Sequence, residues 1–216
     1  YVTSLAERLD FFSYIFRWWA ASMNSAQRIF EILDASPEVV ESALPVCLPQ
    51  VRGEIELKNV SFSYEPNKPV LSNISFKARP GCMLGIVGHS GAGKSTIVNL
   101  ISRLYDPQEG EVLLDGVNVK ELSFAQLHKS IALVSQETYI FRGTVAENIA
   151  YARPEAGMRE IIEAAAAGSA HDFIMKLPDG YNTVIGGGGR SLSGGERQRI
   201  SIARAILAGP RVLILD

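Results

Sequence analysis

The nine residues Gly88-His89-Ser90-Gly91-Ala92-Gly93-Lys94-Ser95-Thr96 constrain this chain more than any other stretch. They fit G-x-x-x-x-G-K-[ST], a phosphate-binding loop. Its glycines let backbone N–H groups turn inward around a polyphosphate. Lys94 reaches the β and γ phosphates, and the Ser95 hydroxyl is a ligand for Mg²⁺. The flanks suit that reading. Residues 82–87 (Cys-Met-Leu-Gly-Ile-Val) read as a short buried strand. Residues 94–105, with Ile97, Leu100, Ile101 and Leu104 apolar, read as a helix. Strand, loop and helix N-terminus together make an anion site, because orphan N–H groups and the helix dipole both favour negative charge. A glycine-rich turn matching by chance would not bring both flanks.

The chain has 216 residues, enough for one globular domain and an attachment. With 47% hydrophobic and 20% charged residues, a large core is possible. A net charge of −2 gives no basic field for nucleic acid. The two cysteines, Cys47 and Cys82, sit in unrelated contexts; neither a disulfide framework nor zinc spacing is present, and a reducing compartment fits. There is no signal peptide, and no uncharged apolar run of the roughly 18 residues a membrane span needs. Both ends look cut: the chain opens on Tyr1 inside a helical pattern and closes on the apolar run 212–215 followed by Asp216. A fragment of a longer protein is expected.

Leu5, Leu9, Phe12, Phe16, Trp19, Met23, Ala26, Phe30 and Leu33 alternate in spacing between four and three, which draws one apolar stripe along a long helix. Two readings stay open for residues 1–35: a bundle helix packing on its own domain, or the cytoplasmic end of a transmembrane helix. Ser36-Pro37 stops the helix, and Pro45, Pro49 and Gly53 punctuate a linker over 36–52. Ile55 and Leu57 alternate in one phase and Val60, Phe62 and Tyr64 in the other, so a bulge or a break is expected between them. Residues 70–78 read as a strand. Asp115-Gly116 joins two strand-like runs as a hairpin. Ser123 caps a short helix, and 131–134 is a buried-strand run ending at Ser135-Gln136.

Beyond Gln136 strand signals thin out. Thr144 and Glu147 form a capping box; 158–167 and 171–177 look helical, separated by Gly168. These features predict a helical insertion over about 137–203. The glycines at 186–189 predict a loop, since four in a row lose too much entropy in a regular element. Ser193-Gly194-Gly195-Glu196 is a second capping box, opening a helix to about Ala208, with Gly209-Pro210 ending it.

Several motifs now stand in order: Tyr64 after an early strand, the phosphate loop, Gln136 at a strand end, Leu192-Ser193-Gly194-Gly195-Glu196, and a hydrophobic strand ending in Asp216. The ordered set, over residues 53–216, resembles the nucleotide-binding domain of ATP-binding-cassette (ABC) transporters, most closely exporters with a transmembrane domain fused ahead of the ATPase. Residues 28–34 (Arg-Ile-Phe-Glu-Ile-Leu-Asp) resemble the segment joining the last membrane helix to the cassette. The resemblance implies an α/β fold: a parallel-sheet ATP-binding core, an antiparallel β flank and an inserted helical subdomain. It implies that Tyr64 stacks on adenine, although a core or edge-strand tyrosine reads the same way. It implies that Gln136 and Asp216, with Ser95, hold Mg²⁺, although a polar residue at a strand end is otherwise unremarkable. Ser193, Gly194, Gly195 and Glu196 correspond to the family signature, which binds the γ phosphate held on the opposite subunit, so that two cassettes close head to tail around two ATP molecules. An ordinary N-cap explains Ser193 and Glu196 but not two glycines in a first helical turn, which cost about 1 kcal/mol each against Ala.

The implied function is ATP binding and hydrolysis, by in-line attack of water on the γ phosphate, driving a substrate across a membrane. The cassette would lie on the cytoplasmic face of the plasma (inner) membrane, partnered by a second cassette and the fused transmembrane domain, with no nucleic acid. This sequence departs from the family pattern at Glu196, where Gln is usual, and at 186–189, where no Glu precedes the signature. It also ends before the position of the family's catalytic Glu, and none of His89, His128 and His171 stands where the switch His belongs. The chain as given is therefore expected to be weakly active or inactive, binding nucleotide more readily than turning it over. Two other classes compete: an ABC-type ATPase of DNA repair or chromosome organisation, and a P-loop kinase or GTPase. The first puts a long coiled coil between phosphate loop and signature, whereas here roughly 100 residues separate Gly88 from Leu192, and the net charge of −2 gives nucleic acid no footprint. The second would leave the Ser193-Gly194-Gly195 turn and the amino-terminal stripe without a purpose.

Overall fold

A computed structural model describes residues 2–186 and 191–216, with side chains from residue 12 onward. The chain divides into two compact units, 1–40 and 41–216. The first is helix α1, Val2–Leu33, which ends as Pro37 requires. Of the stripe residues with described side chains, Phe12, Phe16, Trp19, Met23, Phe30 and Leu33 are all exposed. Among the described residues no helix is long and apolar enough to cross a membrane.

The second unit has two cores. The first is organised by an antiparallel sheet of order β2-β1-β3-β4, made of β1 (Ile55–Phe62), β2 (Leu71–Ala78), β3 (Glu109–Leu114) and β4 (Val117–Asn118). The phase change inside β1 is a bulge, not a break. Asn59 takes a left-handed φ of 50°, and the register with β2 and with β3 shifts beside it. Ile55, Leu57, Val60 and Phe62 consequently all point into the core. Asn tolerates that backbone better than a branched residue. Asp115 and Gly116, at φ 51° and 82°, close the β3–β4 hairpin as a tight two-residue turn, with Leu114 opposite Val117.

Against this sheet lie α2 (Lys94–Ile101), through Ile97, Leu100 and Ile101, and α3 (Phe124–Ser130), through Leu127. Each such fully buried aliphatic side chain contributes about 1.5–3 kcal/mol. Ser123 caps α3 by accepting from the Gln126 N–H. Residues 41–52 attach to the same helix. Glu41 accepts from the Phe124 N–H at 2.7 Å, and Gln126 both accepts from the Leu48 N–H and donates to its carbonyl. After α3, β5 (Ile131–Val134) pairs in parallel with β8 (Val212–Leu215).

The second core is helical, as the thin strand signal after Gln136 predicts. Helices α4 (Val145–Ala150), α5 (Met158–Ala167), α6 (His171–Ile174) and α7 (Gly194–Ala208) bury Val145, Ile149, Ile161, Ala165, Ile174 and Ile200 together. A two-residue ladder of β6 (Gly143–Thr144) and β7 (Val184–Ile185) closes its edge. The Thr144 and Ser193 capping boxes both form. Gly209, at φ 68°, ends α7. Helix α6 is shorter than its pattern suggests; the chain continues to Leu177 in turns. Arg204 of α7 donates to the Asn148 carbonyl at 2.8 Å, and its burial lowers the guanidinium pKa. Of the glycine run, Gly186 is in a bend at φ 73°; 187–189 lie outside the described residues.

One expectation is corrected. Residues 82–87 are not a buried strand: they form no ladder, Met83 and Val87 are almost fully exposed, and Leu84 and Ile86 are partly so. A strand exists only through a hydrogen-bonded neighbour. Among the described residues β8 pairs with β5 alone, and a cleft of about 450 Å³, lined by Leu84 and Ile86 on one side and by 211–216 on the other, separates 82–87 from β8.

Candidate nucleotide site

The loop 88–93 takes its shape from two left-handed glycines, Gly91 at φ 80° and Gly93 at φ 85°. Gly93 is required twice over, because a Cβ there would stand 2.7 Å from Leu71 Cδ2. It precedes α2 without a side-chain cap. The first N–H groups of that helix are thus left for a ligand at the positive end of the dipole. Gly88, His89, Ser90 and Ala92 are exposed. Lys94 arches back over the loop and donates to the Gly88 carbonyl at 3.0 Å and the His89 carbonyl at 2.9 Å. Thr96 is buried one turn into the helix.

Two sequence-predicted residues, Asp216 and Tyr64, contact the side chains of α2. Asp216 is held at the end of β8 by its own N–H, which donates to the Val134 carbonyl at 3.0 Å. Its Oδ1 accepts from Ser95 Oγ at 3.4 Å, across 121 residues of chain. Tyr64 places its hydroxyl 3.3 Å from Thr96 Oγ1 and accepts from Asn99 Nδ2 at 3.1 Å. Its ring stands edge-on to Phe62 and Tyr105, and the residue is 47% exposed, so part of it remains open to a ligand. Gln136 is exposed and lies two residues past β5, at the sheet end where Asp216 leaves β8. Lys94 and Asp216 also line the cleft described above.

A divalent cation fits this donor set. Among the described residues no three His, Cys, Asp or Glu side chains converge. One carboxylate, one hydroxyl and the oxygens of phosphate and water suffice for Mg²⁺, which binds through few protein ligands and keeps several waters.

Ser193-Gly194-Gly195-Glu196 opens α7 at the end away from β8. Ser193 Oγ donates to Glu196 Oε2 at 2.8 Å, and the Ser193 N–H donates to the same oxygen at 2.7 Å. A Cβ on Gly194 would meet nothing within 4 Å, and one on Gly195 only Arg199 Nη1 at 3.5 Å. Neither glycine has a positive φ. Packing among the described residues thus gives no reason for either.

Asn99, bonded to Tyr64, is a contact of the candidate site that the sequence reading missed. Its i,i+3 spacing from Thr96 places both on one face of α2; that much was available. Tyr64, 35 residues before it, was not reachable by local pattern.

Known proteins match this chain across most of its length. Residues 71–216 fit the family pattern described as ABC transporter. The chain belongs to the ABC transporter family. What it carries is that family's ATP-binding domain. It is 50% identical over 191 residues to the ATP-dependent lipid A-core flippase of Syntrophus aciditrophicus, covering 88% of this chain and 32% of the flippase. It is 47% identical over 196 residues to the fatty acid ABC transporter ATP-binding/permease protein of Mycobacterium bovis, covering 91% of this chain and 31% of that protein. A solved structure of a bacterial Atm1-family ABC exporter with ATP bound superposes with a TM-score of 0.82 at 36% identity, over 99% of this chain and 37% of that one. The ABC transporter domain thus spans about a third of the length of these relatives. These relatives do not favour a DNA-repair ATPase or a P-loop kinase.

Proposed function

We propose that the full-length protein uses this domain to bind and hydrolyse MgATP and so to drive export across a membrane. The observation that carries the reading is the Ser95–Asp216 contact at 3.4 Å, beside Lys94 at the uncapped start of α2. In this reading, loop N–H groups and Lys94 hold the β and γ phosphates. Ser95 and Asp216, joined by Gln136, hold the metal, and the exposed part of the Tyr64 ring takes the adenine. Mg²⁺, when bound, neutralises charge on the β and γ phosphates. Water attacks the γ phosphorus in line, the bond to the β–γ bridging oxygen breaks, and the water's proton passes to the released phosphate and solvent. Lys94 stabilises the charge on the departing oxygens. Asp216 is fixed by the β5–β8 ladder, so its carboxylate needs little reorganisation.

The two glycines of α7, unexplained by packing among the described residues, support a second copy meeting that helix end with its own nucleotide. ATP binding then closes the pair and hydrolysis opens it. The exposed stripe of α1 suits a helix continuous with a membrane domain, which would place the domain at the plasma (inner) membrane on its cytoplasmic face. The names of the relatives support export or flipping as the transport class.

The test measures ATP affinity with and without Mg²⁺. Asp216→Asn should lose the gain in affinity that Mg²⁺ gives while keeping metal-free ATP binding. A full metal-dependent gain in that variant overturns the assignment.

A further inference from the structure

Just before Tyr64, a side chain takes the place of a neighbouring strand. Gln108 Oε1 accepts from the Ser63 N–H at 2.8 Å and from Ser63 Oγ at 2.9 Å, and Gln108 Nε2 donates to the Ser63 carbonyl at 2.8 Å. A side-chain amide carries the same donor and acceptor as a peptide group, so Gln108 makes the two bonds that a ladder partner would make. Its own N–H donates to the Ser61 carbonyl at 3.2 Å. The start of β3 can lie this close to β1 because Gly110 has no side chain. A Cβ there would collide with the carbonyl oxygens of Lys58 and Asn59. The backbone of β1 is therefore held one residue past Phe62, immediately ahead of Tyr64.

The far end of the same residue is held as well. The Tyr64 hydroxyl donates to Thr96 Oγ1 at 3.3 Å and accepts from Asn99 Nδ2 at 3.1 Å. Phe62 and Tyr105 stand perpendicular to its ring, with centroids 4.9 and 5.1 Å away. We propose that Gln108 and Asn99 are positioning residues, which fix the Tyr64 ring for a nucleotide base before any nucleotide arrives. The inference rests on the reading above, in which that ring takes the adenine. A ring on a loosely held chain would lose backbone and rotamer freedom on meeting a base. Here that freedom is already gone, so less of the stacking energy is offset by ordering. Asn99 belongs to α2, as Lys94 and Ser95 do, so the base platform and the phosphate ligands are tied to one rigid element.

The test uses the full-length protein and compares calorimetric affinities for MgATP and for magnesium tripolyphosphate, which has the phosphates without the base. Tyr64→Ala should weaken ATP binding about 20-fold and leave tripolyphosphate binding unchanged. Gln108→Leu and Asn99→Leu should each weaken ATP about fivefold, again with no effect on tripolyphosphate. Asn99→Leu leaves the β1 backbone alone, and so keeps the test open if Gln108→Leu folds poorly. In a Tyr64→Ala background neither leucine should weaken ATP further, because both residues act through the ring. A merely structural role would lower both affinities and add to the Tyr64→Ala loss. Unchanged ATP affinity in both leucine variants, or a loss that adds in the Tyr64→Ala background, overturns the positioning role and leaves the ring as the platform. If Tyr64→Ala itself keeps the parent ratio of the two affinities, the ring does not take the base, and the proposal falls with that reading.

Discussion

Lys94 donates to two carbonyls of its own loop, and a polyphosphate would take that ammonium from them. Charge-assisted bonds of this kind contribute about 1.5–3 kcal/mol each. Lys94→Ala should therefore weaken MgATP binding on the order of 100-fold, read by calorimetry. Gly93→Ala tests the loop's shape instead of its charge. With φ at 85° and Leu71 at 2.7 Å from the new Cβ, it should cost about 1–3 kcal/mol of stability and weaken ATP binding as well. Asp115 has a different role. Its carboxylate accepts from the N–H groups of Arg52, Gly53 and Glu54, at 2.6, 3.2 and 2.9 Å. Asp115→Ala should lose about 2–3 kcal/mol in a denaturant melt, with ATP affinity untouched. The sequence marked Asp115 as a turn residue because Asp-Gly is a local signal. Its clasp on residues 62 positions earlier leaves no mark in the pattern.

Elements were legible where their causes are local. Thr144, Ser123 and Ser193 announce three helix starts because a cap needs only residues within one turn, and all three caps form. The run 82–87 misled because its apolar composition is local whereas strand pairing is not. Tyr64 shows the same limit at the site: its aromatic character was visible, its anchoring to Thr96 and Asn99 was not. Helix α5 gives a pH test. Glu160 pairs with Arg153 and accepts from the Gly157 N–H, and these bonds hold its carboxyl below the ordinary range. A depressed folded pKa adds stability that is complete above the unfolded value, about 4.3, and is lost as pH falls through the folded one. Glu160→Gln should therefore melt below the parent chain at neutral pH, and the two Tm values should converge as the solution is acidified below about pH 4.

At the scale of the whole chain, α1 shows its aromatic stripe to solvent, with Phe16 76% and Trp19 60% exposed. Faces of this kind drive association. A chain of residues 41–216 should sediment as a smaller, more uniform species than residues 1–216. Starting at 53 instead should cost stability, because the bonds of Glu41 and Leu48 to α3 would go with it. Equal sedimentation of the 1–216 and 41–216 chains would show that the stripe has no such effect. Helix α7 has a consequence of its own. It runs 15 residues, about 22 Å, with Ser193 before it and, past Gly209, the strand that ends on Asp216. In a head-to-tail pair each nucleotide is touched by opposite ends of this assembly, one from each copy. The distance between the two nucleotides is then counted out in helical residues. One residue added to α7 would turn its Ser193 end by about 100°, so the length of this helix, more than its surface, is the dimension the proposed pair must keep constant.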